Sequence, residues 1–422
     1  MTHPFRVLRV AFREGIFRGV TAGQGDEAHF LLCRRFLFWR SYRSYAVTPH
    51  RNDRLTFSGP DGSACCAAPG RGRIHARFRY NKNITILRRI LPQIRRCVLD
   101  QTPLEQIRIH NFANLLAVMR KAGTCSLAQI TQGMDVGLTT VNKCVEEGVR
   151  CGMILCGETA DSTGGRKARQ FLLNAQYQYF LMILTDNNDL VCKVYDFNRR
   201  LVEEVKKPFA MPSFYTALCE TVGAFLKRYP VGTLCLSLPC VVKDGKIIEW
   251  YYNPALQGMA IGAALKARFG VHVAVQNGMK LSVLGASARS ENAQLQNLVT
   301  AQFGHNGIGV GEMVGRTVLE GTAGFAGEVG YIQDVRKDIR STAYLAKIVR
   351  SVIICINPQK IIFYHSARQN RFQKIFEEAV RGLPDYAVPD YAVSDQYLQD
   401  IVAGLFCLTD QNGYFKRRDD AD

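Results

Sequence analysis

Leu104, Ile107, Phe112, Leu115, Leu116 and Met119 recur at helical spacing through TPLEQIRIHNFANLLAVMRKAG. The segment opens on Thr102 as an N-cap, with Pro103 at the first helical position and Glu105 three residues after the threonine, and it stops at Gly123. It therefore predicts one helix. The next stretch, SLAQITQGMDVGLTTVNKCVEEGVRCGMI, predicts two short helices: Ser126 caps the first, a tight link around Asp135 to Gly137 interrupts it, and Thr139 or Thr140 starts the second. On that second helix Val141, Cys144, Val145 and Val149 fall on the core face, leaving Thr139, Thr140, Asn142 and Lys143 exposed. MILCGETADSTGGRKARQFLLN then reads as strand, polar turn, strand.

From Gln178 the pattern changes. FLMILTDNNDLVCKVYDFNRRLVEEVKKPF predicts two strands joined by a turn and a third after Asn198, and VGTLCLSLPCVV is the continuous apolar run of a buried strand. The helix AIGAALKARFG, the strand VHVAVQN and the helix MKLSVLGASARS follow, an alternation that argues for the α/β class. The tandem DYAVPDYAV reads as a surface segment of strand and turn.

The length of 422 residues and 47% hydrophobic content suffice for two or three domains. No apolar run approaches the roughly 20 residues that cross a bilayer, and MTHPFRVLRVAFREG is broken by arginines rather than forming a signal-peptide core. A cytoplasmic protein with no membrane partner is expected. The 14 cysteines show no CxxC and no Cys/His cluster at zinc spacing, so reduced, mostly buried thiols are expected, with no metal or other cofactor.

Charge is uneven. Residues 1–100 hold 18 Arg, one Lys and six acidic residues, a net +13 of the total +18. This segment lacks sustained periodicity and contains SGPDGSACCAAPGRGR, so residues 1–101 read either as a disordered arm or as sequence ahead of the true start. ITILRRILPQIRRCVLD at its end has the makings of a leading helix.

Two short helices joined by a tight turn fit a helix-turn-helix, whose second helix presents its first residues to the major groove. Thr139, Thr140, Asn142 and Lys143 are the candidate contacts. The following hairpin fits a wing, with Gly164, Gly165, Arg166, Lys167 and Arg169 at its tip: glycine lets the backbone approach phosphate, and arginine reads phosphates and narrow minor grooves. Further on, GIGVGEMVGRTVLEGTAGFAGEVGY, Gly307 to Tyr331, contains eight glycines. Spacing alone leaves hairpin turns and close approach to a ligand both open.

The order of three helices and a GGR-tipped hairpin from about residue 104 to 174 resembles the repressor members of the ROK family, named for repressors, open reading frames and kinases, and the resemblance continues through most of the remaining chain. It implies a winged helix-turn-helix over residues 102–175, followed over 176–422 by an actin-like, sugar-kinase-like (ribonuclease H-like) two-lobed α/β domain. The final segment SDQYLQDIVAGLFCLTD is expected to be a helix against the second lobe. In ROK kinases an Asp following an Asn at the end of a strand takes the proton of the attacking sugar hydroxyl. Here Asn277 is followed by Gly278. The first phosphate turn keeps Asp186 but has Asn187 and Asn188 for glycines; Tyr364 and His365 replace a Gly-Gly pair; Tyr331 stands for a histidine. The zinc loop and much of a helical insertion are missing, which implies a shortened second lobe. The eight glycines then read as inherited geometry of a former phosphate and sugar cradle.

The resemblance therefore implies a non-catalytic regulator that binds double-stranded operator DNA as a homodimer at the nucleoid. Asn253, Asn277 and Glu328 stand where the family contacts sugar, making a sugar effector the expected partner. Asn277 could equally cap the helix after it, and Glu328 could pair with an arginine. A DNA-binding assembly protein without an effector and an active sugar kinase are the other classes, the latter opposed by Gly278.

Overall fold

The computed structural model describes residues 47–49, 55–57, 103–157, 169–186, 188–304, 307–332, 341–364 and 369–415. The chain divides into two compact units, Met1–Thr102 and Pro103–Asp422. In the first, strands β1 (Val47–Pro49) and β2 (Leu55–Phe57) pair antiparallel, with Val47 opposite Phe57.

The second unit opens with helix α1 (Pro103–Ala122), strand β3 (Cys125–Ser126), helices α2 (Leu127–Gly133) and α3 (Leu138–Arg150), and strands β4 (Ile154–Cys156) and β5 (Gln170–Leu173). The β5 strand lies between β3 and β4, antiparallel to both. Phe112, Leu115, Leu116 and Met119 of α1 are buried, as the spacing predicts, but Leu104 and Ile107 are exposed. The first turns of α1 run beyond the core that its later turns fill.

A five-stranded sheet follows, built from β6 (Tyr179–Asp186), β7 (Asp189–Tyr195), β8 (Leu201–Pro208), β9 (Val231–Leu238) and β12 (His272–Asn277) in the order β12-β9-β6-β7-β8. Helix α4 (Phe214–Leu226) leads into β9; the hairpin β10 (Val241–Lys243) and β11 (Lys246–Glu249) and helix α5 (Ile261–Phe269) lead into β12. Helix α6 (Gly278–Ser287) starts directly after β12. The second sheet has the order β15-β14-β13-β16-β17, from β13 (Leu298–Gly304), β14 (Gly307–Val314), β15 (Thr317–Val318), β16 (Lys360–Tyr364) and β17 (Asp390–Ser394), with helices α7 (Thr342–Ile356) and α8 (Gln369–Val380) in its crossovers. Both sheets repeat one plan: three antiparallel strands in sequence, extended by two parallel ones. This duplicated plan gives two α/β lobes.

Helix α9 (Tyr397–Gln411) reaches further than the second lobe expected for it. Its Ile401, Val402, Leu405 and Phe406 join Phe180, Met182, Leu184 and Cys235 of the first sheet in one core. That core also contains Phe112 and Met119 of α1, and Phe112 stacks on Phe415 at 5.9 Å. The closing helix therefore packs on the first lobe and on the N-terminal helices, while its Tyr397 and Asp400 reach Tyr364 of the second sheet. Its amphipathic sequence announces a buried face without specifying the partner. Hydrophobic packing accordingly runs without a break past residue 175.

Candidate functional site

The N-terminal helices are fixed by local chemistry. Ser126 Oγ accepts from the Gln129 backbone N–H, and the Gln129 side chain accepts from the Ser126 N–H at 2.8 Å, a reciprocal cap for α2. Gly137 caps α3, so the helix begins at Leu138, one residue before the expected start. Thr139 and Lys143 are exposed on its first turns, while Thr140 and Asn142 are half-buried. Val149, expected in the core, is exposed. The helix instead turns Gly148 inward, where an added methyl carbon would lie 2.5 Å from Ile154 Cδ1. Gly164, Gly165, Arg166 and Lys167 lie outside the described residues; Arg169 is exposed immediately before β5.

At the other candidate site, α6 is the organising element. Asn277 Oδ1 accepts from the backbone N–H of Met279 at 2.8 Å and of Lys280 at 3.3 Å, and its Nδ2 donates to the Cys240 carbonyl at 2.9 Å. Asn277 thus caps α6 and ties it to the loop after β9. Glu328, half-buried on the glycine-rich turn, is held above the ordinary carboxylate range by burial; Lys280 opposes that shift and the Glu249 charge adds to it. Among the described residues, the cation whose charge acts on Glu328 is Lys280. Lys280 is only 2% exposed, donates to the Gly324 carbonyl, and has its ammonium pulled down by burial. A lone lysine inside the apolar run GMKLSVLGAS was the available signal for it. Cys240, whose carbonyl accepts from Asn277, has its thiol raised by burial and, less, by the Glu328 charge. Asn253 is buried elsewhere in the first lobe, its Nδ2 donating to the Met211 carbonyl at 2.8 Å.

The glycines divide by use. At Gly311 an added methyl carbon would lie 2.1 Å from the Met279 carbonyl oxygen, and at Gly309 2.6 Å from Met279 Cγ: these two let α6 lie against β14. Gly324 and Gly327 have φ of 77° and 83° and press on the Val242 and Val310 carbonyls, so they combine a left-handed turn with close approach. Beside this turn a cavity of about 430 Å³ is lined by Lys243, Gln276, Lys280, Arg316 and Glu320 among others. Glu320 accepts from Lys243 at 2.5 Å and from Gln276 at 2.8 Å.

Around Gly278 the space is occupied. A methyl carbon there would lie 3.0 Å from the Tyr397 hydroxyl and 3.2 Å from Ser237 Oγ. Tyr397 is pushed up by burial and, less, by the charge of Asp186. Its ring packs 5.2 Å from that of Tyr364, which is buried at the end of β16 and donates to Asp400 Oδ2 at 2.5 Å. Sequence reasoning missed Tyr397, which lies on the last helix and reaches Gly278 only through the fold. His365 lies outside the described residues.

The ROK family description matches residues 187–342. Over those residues the chain is similar to the ROK family. The DNA-binding transcriptional dual regulator NagC of Escherichia coli K12 is 24% identical over 240 residues, covering 53% of this chain and 57% of that protein. The N-acetylglucosamine repressor of Shigella flexneri shows the same identity and coverage. The chain thus spans little more than half the length of these curated relatives. A crystal structure of a ROK family transcriptional regulator, described as a homolog of the E. coli MLC protein, superposes with a TM-score of 0.59 at 15% identity, over 74% of this chain and 98% of that one. Residues along 74% of this chain accordingly share the fold of that structure. Among the described residues, no helix is long and apolar enough to cross a membrane.

Proposed function

We propose that the chain is a sugar-responsive transcriptional repressor, in which residues 102–175 form a winged helix-turn-helix that binds operator DNA and residues 176–422 dimerise and sense a carbohydrate without transferring phosphate. The observation that carries this reading is the exposed start of α3, with Thr139 and Lys143 outward, next to the antiparallel pair β4 and β5 and on the same core as the ROK domain. That is the element order by which such modules place a helix in the major groove. Two recognition helices must reach half-sites about one helical turn apart, hence the dimer. The protein works at the nucleoid in the cytoplasm.

The test is titration of the full chain against genomic fragments at two salt concentrations. A preferred fragment is expected, and Arg166→Ala is expected to weaken it by about 1–3 kcal/mol if the arginine reads a base. Unchanged binding removes the wing from the reading. A steep salt slope with no preference among fragments assigns binding to the arginine-rich residues 1–100 instead.

The absence of phosphoryl transfer is supported by Gly278, by the Tyr397 hydroxyl beside it and by the buried Tyr364. Gly278→Asp, which restores the carboxylate in name, is expected to give no ADP release with ATP and a panel of hexoses in a coupled assay. The new side chain meets Tyr397 and Ser237 rather than open space. Sugar-dependent ADP release by that variant would show an intact nucleotide site.

A further inference from the structure

We propose that the mouth of the Glu328 site is an aromatic rim that binds a neutral oligosaccharide of at least two pyranose rings. This rests on the reading of the ROK domain as a carbohydrate sensor and names the class of carbohydrate.

Tyr251, Tyr252, Phe325 and Tyr331 are 42–55% exposed. They come from two walls: the segment after β11 in the first lobe and the glycine-rich turn that carries Glu328. Tyr331 joins the walls by donating its hydroxyl to Glu249 Oε1 at 2.5 Å. Tyr251 and Tyr252 follow Glu249 by two and three residues, which keeps their Cα atoms within about 8 and 11 Å of it. On each wall the rings are paired, Phe325 with Tyr331 at 5.0 Å and Tyr251 with Tyr252 at 5.1 Å.

Single exposed apolar side chains are ordinary on a protein surface, whereas two exposed ring pairs, one bonded to Glu249 and the other following it by two and three residues, form a patch that calls for a ligand. The chemistry of that ligand follows from the groups present. Ring faces cover the C–H faces of a pyranose, tyrosine hydroxyls donate and accept, and the Glu249 and Glu328 carboxylates accept from sugar hydroxyls. Glu249 already helps to hold Glu328 up, so another anion at this mouth is disfavoured. Of the cations around the turn, Lys280 is buried and engaged by the Gly324 carbonyl, and Lys243 is paired with Glu320. A neutral saccharide therefore suits the rim better than a phosphorylated or acidic one. One ring pair spans about one pyranose, and two walls accommodate at least two.

The test is calorimetric titration of the full chain with cellobiose, maltose, xylobiose and N,N′-diacetylchitobiose, each beside its monosaccharide. At least one disaccharide is expected to bind about tenfold or more tighter than its unit, a difference of about 1.4 kcal/mol. The Tyr251→Ala/Tyr252→Ala double variant is expected to erase that advantage, and an unchanged urea midpoint reports that the domain remains folded. Equal affinity for mono- and disaccharide, or a disaccharide advantage that survives the double variant, overturns the rim. Binding of no saccharide, with operator binding intact, overturns both the rim and carbohydrate sensing and leaves the DNA-binding reading standing.

Discussion

Gly404→Ala is expected to destabilise the protein by about 3 kcal/mol or more, the upper end of what overpacking costs. The methyl carbon would lie 2.1 Å from the Leu281 carbonyl oxygen, and its counterpart at Gly285 would lie 1.9 Å from the Asp400 carbonyl oxygen. Helices α6 and α9 therefore cross with backbone against backbone, and neither neighbour is a flexible side chain that can swing away. The opposite side of α6 is equally close to β14 through Gly311 and the Met279 carbonyl. Held on both sides, α6 cannot move to make room. The displacement would also reach Asn277 and Lys280, which begin this helix and face the candidate sugar site. Urea denaturation measures the loss. Gly330→Ala, with no atom within 4 Å of its added carbon and no positive φ, is the comparison and is expected to change stability by less than about 0.5 kcal/mol. Equal effects at 404 and 330 would show that the helix crossing is looser than its geometry.

This crossing also shows why some of the molecule could be read in the sequence and some could not. The Ser126 cap, the turn before α3 and the alternation of β6, β7 and β8 are written within a few residues of themselves, where capping and periodicity act. Asn277 as a cap was one of two readings from its position before MKLSVLG, and the structure spends its Oδ1 on the Met279 and Lys280 amides. The use of Gly309 and Gly311 was not legible, because the helix that presses on them lies about 30 residues earlier and comes into contact only when the lobe folds. Tyr397 beside Gly278 and the docking of α9 on the first lobe are further from any local signal. Apolar spacing specifies that a face is buried and leaves its partner open, which is also why Leu104, Ile107 and Val149 were assigned to a core that does not reach them.

Asp400→Ala is expected to cost about 3–5 kcal/mol, the penalty of stranding a buried charge partner. Asp400 is 3% exposed on α9 and accepts from Arg289 Nε at 2.8 Å, from a second Arg289 nitrogen, and from Tyr364 at 2.5 Å. Burial pushes its carboxyl up, and Arg289 and Tyr364 act in the opposite direction by bonding the charged form. Removing the carboxylate leaves a guanidinium and a tyrosine hydroxyl facing an apolar joint, whereas the Asp400 backbone contact with Gly285 survives, so the loss belongs to the side chain. Tyr364→Phe removes one bond to a charged acceptor and is expected to cost only about 1.5–3 kcal/mol. In the double variant the two losses should fall short of additive, since both remove the same bond. Additivity, or a loss below about 1 kcal/mol for Asp400→Ala, would mean that the three groups do not act as a unit. Their cooperation reaches across the molecule: Asp400 lies on α9, Tyr364 ends β16 of the second sheet and Arg289 follows α6, so the network that holds the Tyr364 ring also fastens α9 to the second sheet.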